Sequence, residues 1–132
     1  GLGDVYKRQV LIVEDESAIA EALSFLMSRE GLEPFVARDG DLALKATQTA
    51  KLDLIILDLM LPRVSGTDLL RLIRAQALNQ DTPILVLTAR GQENDADRVM
   101  ALGATAFMTK PFANAALVAQ AQALLAASQS PT

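Results

Sequence analysis

Glu14-Asp15, Asp58, Thr88 and Lys110 are the residues of this 132-residue chain whose types and spacing could do chemistry. The first three of these sites follow short aliphatic runs directly: Val10-Leu11-Ile12-Val13, Leu54-Ile55-Ile56-Leu57 and Ile84-Leu85-Val86-Leu87. Lys110 closes the stretch Thr105 to Thr109 and precedes Pro111. A carboxylate is costly inside such apolar surroundings unless it stands where the chain leaves them and can find water, a cation or a hydrogen-bond partner. Three carboxylates gathered at one edge repel, so the set needs a cation or raised pKa values. Magnesium suits it, being a hard ion that takes oxygen ligands, keeps waters and accepts phosphate. Thr88 adds a hydroxyl and Lys110 a positive point charge.

The elements that must bring these residues together read as alternating strands and helices. The aliphatic runs are the pattern of strands buried on both faces. Strands are expected at Val10–Val13, Pro34–Ala37, Asp53–Leu57, Ile84–Leu87 and near Thr105–Thr109, with Pro34 tolerable only near a strand start or on an edge. Between them, Ile19, Leu23, Leu26 and Met27 recur at helical spacing up to Gly31. Asp39-Gly40 turns into a helix carrying Ala43, Leu44 and Thr47, and Ser65-Gly66 opens one with Leu69, Leu70 and Ile73 on one face. A fourth helix is expected over roughly Glu93 to Leu102, carrying Val99 and Met100 and closed by Gly103. The last bears Leu117, Ala121, Leu124 and Leu125. Five such units predict an α/β fold, a (βα)5 doubly wound five-stranded parallel sheet of flavodoxin-like order 2-1-3-4-5. Strands one and three then meet at the switch point, beyond whose carboxyl ends ligands bind.

Composition narrows the chemistry. The length fits one domain. Without cysteine there is no disulfide or thiolate metal site, and without histidine the commonest general base and zinc ligand is missing. Any histidine chemistry must therefore involve a partner's residue. A net charge of -4 argues against direct nucleic-acid binding, and no run is long enough to span a bilayer. Residues 1–9 read as a non-native scar, because Asp4-Val5-Tyr6-Lys7-Arg8-Gln9 is the translation of GAT GTG TAT AAG AGA CAG, which resembles a transposon end used in sequencing libraries. The domain proper is expected over 10–127, with a frayed tail at 128–132.

Four motifs, in order and at the right spacing, resemble the receiver domains of bacterial two-component response regulators. They are Val13-Glu14-Asp15-Glu16, Asp58-Leu59-Met60-Leu61-Pro62 followed by Ser65-Gly66, Leu87-Thr88-Ala89, and Lys110-Pro111-Phe112. The resemblance implies phosphorelay signal transduction, with Asp58 taking a phosphoryl group from a sensor histidine kinase or phosphotransfer protein. By position, Asp15, Asp58 and the carbonyl of Met60 would bind Mg2+ directly and Glu14 through water. Lys110, Thr88 and the amide of Ala89 would hold the phosphoryl oxygens. Thr88 would move toward the phosphoryl group and Phe107 would turn inward, altering the face of helix four, strand five and helix five that meets a downstream protein target or output domain. The resemblance implies a cytoplasmic phosphoacceptor rather than a dedicated enzyme, with no nucleic-acid or membrane contact of its own.

Plainer readings stand beside these. Glu14-Asp15-Glu16 also suits a helix start, where the macrodipole favours acids, and a lone aromatic such as Phe107 reads equally as core. The nearest likeness is to the winged-helix transcription-factor subfamily, through Leu59-Met60-Leu61-Pro62 and Thr88-Ala89-Arg90-Gly91. Members of that subfamily pair through ion pairs on the helix-four face. Here Gly103-Ala104-Thr105-Ala106-Phe107 lacks the acidic pair before the aromatic, and Pro111 to Thr132 carries no charge. A phosphorylation-independent adaptor is the alternative reading. A phosphohydrolase with an aspartate nucleophile would want an acid where Met60 stands.

Overall fold

The computed structural model describes residues 6–89 and 96–128. Five strands, β1 (Gln9–Val13), β2 (Glu33–Ala37), β3 (Leu54–Asp58), β4 (Ile84–Ala89) and β5 (Ala106–Lys110), alternate with five helices. The helices are α1 (Ser17–Arg29), α2 (Gly40–Thr49), α3 (Gly66–Ala75), α4 (Ala96–Ala101) and α5 (Asn114–Ser128). The strands form one parallel sheet in the order β2-β1-β3-β4-β5, as the pattern of βα units predicts. Pro34 sits on the edge strand β2, where its missing N–H leaves no gap inside the sheet.

Side-chain alternation along each strand divides the core in two. Leu11, Val13, Ile55, Leu57 and Val86 pack under α2, α3 and α4 through Ala43, Leu69, Leu70, Ile73 and Val99. Val10, Ile12, Leu54, Ile56 and Leu87 face the other way, against Leu23 and Met27 of α1 and Leu117, Ala121 and Leu125 of α5. All four aliphatic residues of β3 are buried, each stabilising the fold by about 2 kcal/mol relative to exposure. That double burial makes β3 the rigid support for Asp58.

Local chemistry sets the helix ends. Gly31 takes the left-handed conformation (φ +79°) just past α1, and the Leu32 amide donates back to the Met27 carbonyl at 3.1 Å. Asp39 caps α2 by accepting from the Leu42 amide at 2.8 Å. Ser65 occupies the N-cap of α3 without a capping bond from its side chain, which pairs with the Thr67 hydroxyl instead. Gly66 matters for another reason: a Cβ there would lie 2.6 Å from the Leu59 Cα. Its absence lets α3 pack onto the segment that follows Asp58.

Some boundaries differ from the pattern-based expectation. Gln9, within the suspected scar, is the first residue of β1, and the Arg8 carbonyl accepts from the Glu33 amide. Those contacts are backbone bonds that any side chain allows. The expected start of the fourth helix near Glu93, together with Arg90 and Gly91, lies outside the described residues. Within α4, Val99 is buried and Met100 exposed. Ser128 closes α5, its hydroxyl donating to the Leu125 carbonyl, and the rest of the expected tail lies outside the described residues.

Candidate functional site

Glu14, Asp58 and Lys110 share one side of the sheet by alternation, continuing the rows Val10-Ile12, Leu54-Ile56 and Ala106-Met108. The Lys110 Nζ donates to Glu14 Oε1 at 3.1 Å and to Asp58 Oδ2 at 3.0 Å. The other Asp58 oxygen, Oδ1, accepts from the Met60 amide at 3.0 Å, and Glu14 Oε2 accepts from the Glu16 amide at 3.2 Å. Asp58 is 2 % exposed and Glu14 fully buried. Asp15, half-buried, completes a cluster in which one carboxylate oxygen each from Glu14, Asp15 and Asp58 lie within 4.8 Å of one another.

The charges are out of balance. Burial pushes the Glu14 carboxyl up, the Asp58 carboxylate adds to that, and the Glu16 amide and Lys110 only partly oppose it. For Lys110, burial acts downward, but hydrogen bonds and charge from Asp58 and Glu14 outweigh it and hold the ammonium above its ordinary range. One ammonium thus serves two buried carboxylates with a third beside them. Closely placed carboxylates on strand and loop ends are an all-oxygen donor set that fits magnesium.

Thr88 sits differently. It is buried in the row of Val86, on the side of the sheet that α4 covers, and among the described residues its Oγ1 reaches the Met108 carbonyl, at 3.5 Å. Among the described contacts it has none to the acidic cluster. Ala89 pairs in register with Lys110. Met60 contributes its amide, and its side chain is largely exposed. Phe107, in register with Val86 and so on the same side as Thr88, is 38 % exposed. The reading of Phe107 as core is therefore not what β5 presents.

Arg38 was not foreseen. It stands one residue past β2, and its Nη2 donates to the Asp15 carbonyl at 2.9 Å and to the Ser17 hydroxyl at 2.6 Å. A basic residue directly after a strand, on the edge where the acids collect, was the available signal. A groove of about 490 Å3 beside Lys110, lined by Ala18, Ile19, Ala22 and Phe112 among others, also escaped the pattern.

Residues 10–122 match the family described as the response regulator receiver domain. The chain belongs to that family. It is a phosphoacceptor module of two-component signal transduction, a role distinct from that of a dedicated enzyme. It is 40 % identical over 118 residues to the phosphate regulon transcriptional regulatory protein PhoB of Klebsiella pneumoniae, an alignment covering 89 % of this chain and 52 % of that one. The chain thus spans about half the length of the curated relatives it matches. Among solved receivers, the chemotaxis response regulator CheY4 of Vibrio cholerae superposes with a TM-score of 0.84 at 32 % identity, over 90 % of this chain and 99 % of that one. The receiver domain of a sensor histidine kinase from Pseudomonas aeruginosa PAO1, with a magnesium ion coordinated in its active site cleft, gives 0.83 at 26 %, over 92 % and 99 %. The likeness to the winged-helix subfamily agrees with the match to PhoB, a transcriptional regulator. No helix among the described residues is long and apolar enough to cross a membrane.

Proposed function

We propose that Asp58 of this receiver accepts a phosphoryl group from a phosphohistidine on a sensor histidine kinase or phosphotransfer protein. The observation that carries this reading is the setting of Asp58: a buried carboxylate at the carboxyl end of the central strand, held by the Met60 amide on one oxygen and the Lys110 ammonium on the other. In the transfer, an Asp58 oxygen forms the new O–P bond as the P–N bond to imidazole breaks, and that electron pair returns to the ring nitrogen. Such a reaction asks the protein for position and for neutralisation of charge on the phosphoryl oxygens. Lys110 supplies the positive charge. Thr88, weakly held at 3.5 Å, loses little by re-aiming its hydroxyl at a phosphoryl oxygen, and the Ala89 amide binds another.

Asp15, Asp58 and the Met60 carbonyl would hold Mg2+ directly and Glu14 through water. When bound, the ion would offset charge on the carboxylates and the phosphoryl group. The magnesium in the Pseudomonas receiver supports this assignment. The apolar groove beside Lys110 gives the donor protein a seat next to Asp58. Thr88 and Phe107 lie on the side of α4, so a shift in Thr88 reaches the α4-β5-α5 face, which then meets a downstream protein target or an output domain. Since α5 carries no charged side chain, that contact is uncharged on its part. The reading assigns the domain to the cytoplasm, with no nucleic-acid or membrane contact of its own.

The test is to incubate the full chain with magnesium and a small acyl phosphate and measure intact mass for wild type and Asp58→Asn. A phosphate adduct on wild type alone supports the proposal. An equal adduct on both, or none on either with magnesium binding also absent, overturns it.

A further inference from the structure

We infer that Arg38 is a positioning residue for magnesium, fixing the backbone of Asp15 so that its carboxylate meets the ion pre-aimed. The inference rests on the magnesium site proposed above and adds a residue to it. Asp15 lies between β1 and α1, one residue before the N-cap Glu16. Its carbonyl therefore precedes the helical ladder and needs another partner. Arg38, just after β2, supplies one: its Nη2 donates to the Asp15 carbonyl and to the Ser17 hydroxyl, while the Glu14 amide donates to the carbonyl of Ala37, the last residue of β2, at 3.1 Å. Register places the grip, since Val13 pairs with Ala37 and Arg38 is the next residue out. Asp15 is thus held between a strand end and a guanidinium, whereas its own carboxylate stays within reach of Glu14 and Asp58.

Charge alone would act in the opposite direction. A guanidinium near a dication site disfavours the ion, so loss of Arg38 through electrostatics would tighten magnesium binding, and loss of its grip would weaken it. The two effects separate at high ionic strength, because Arg38 is exposed and its field is screened while the hydrogen bonds persist. Partners that orient a metal ligand commonly matter by tenfold or more in affinity.

The experiment is calorimetric titration of Mg2+ into the chelator-treated full chain in about 0.5 M sodium chloride, where the Debye length is roughly 4 Å. Arg38→Ala is expected to weaken binding about tenfold. Arg38→Lys, which keeps one donor group, should restore part of the loss, and Ser17→Ala should cost about twofold because the carbonyl bond survives. Amide hydrogen exchange in the metal-free protein should speed up at residues 14–17 in Arg38→Ala and stay unchanged in β3, a pattern that general destabilisation would not give. If Arg38→Ala does not fold, Arg38→Lys decides, with binding weaker than wild type expected. Arg38→Ala affinity within twofold of wild type or tighter, or in its place Arg38→Lys affinity equal to or tighter than wild type, overturns the inference with the site itself intact. Absence of magnesium binding in wild type overturns the site as well.

Discussion

The two edges of the sheet bury polar groups in opposite ways. At the amino edge, Asn79 is fully buried and well partnered: Nδ2 donates to the Thr47 and Ala50 carbonyls, and Oδ1 accepts from the Leu52 amide, with the Thr82 hydroxyl placed to donate either to it or to the Leu52 carbonyl. Next to it, the Arg74 guanidinium donates to the carbonyls of Gly103, Gln80 and Thr82 at 2.8, 2.9 and 2.6 Å. Burial lowers the Arg74 pKa and Asp81 partly offsets that. At the carboxyl edge, one ammonium is divided between two buried carboxylates, and the nearby Thr88 hydroxyl is held only at 3.5 Å. A network whose donors and acceptors are closely matched fixes one arrangement, whereas an under-compensated cluster of carboxylates is open to change when a cation or phosphoryl group arrives. The first edge is a foundation and the second a switch.

Substitutions should divide the same way. Lys110→Ala is expected to slow phosphorylation from acyl phosphate by about 10^2-fold or more, as loss of a donor to developing charge does. It should leave residual phosphorylation but no response at the α4 face. Partner binding that still responds to phosphorylation in this variant would count against the assignment. Asn79→Ala should destabilise the fold by about 3 kcal/mol in chemical denaturation, since it strands a buried amide and two carbonyls. Its phosphorylation rate, measured where the protein is folded, should match wild type. A large rate effect would mean that the two edges are not separable. Thr88→Ala is the mildest: its long bond predicts a stability change below about 1 kcal/mol, with phosphorylation retained and coupling to Phe107 lost, read as unchanged Phe107 resonances on phosphorylation. Magnesium at a hundred times its dissociation constant should stabilise both wild type and Asn79→Ala by about 2.7 kcal/mol.

What could be read from the sequence follows the same division. The strands were legible because aliphatic runs such as Leu54 to Leu57 are buried on both faces, and the βα alternation then left few topologies. Asp15, Asp58 and Lys110 stood out as charges ending or following such runs. Arg38 and the Asn79 network did not, because side-chain bonds to carbonyls across the fold carry no periodic signal. That Thr88 stands in a different side-chain row from Asp58 was hidden for a related reason. Motif spacing brings its strand end to the right edge, but side-chain alternation along β4 puts it on the other side.

The central claim is that Asp58, among three adjacent carboxylates, is the acceptor. It is tested most directly by phosphorylating the protein, reducing the acyl phosphate with borohydride, which converts the modified aspartate to homoserine, and locating the converted residue by peptide mass spectrometry. Conversion at Asp58 alone is the predicted result. Conversion at Glu14 or Asp15, or a phosphate that resists reduction on a hydroxyl side chain, would contradict it.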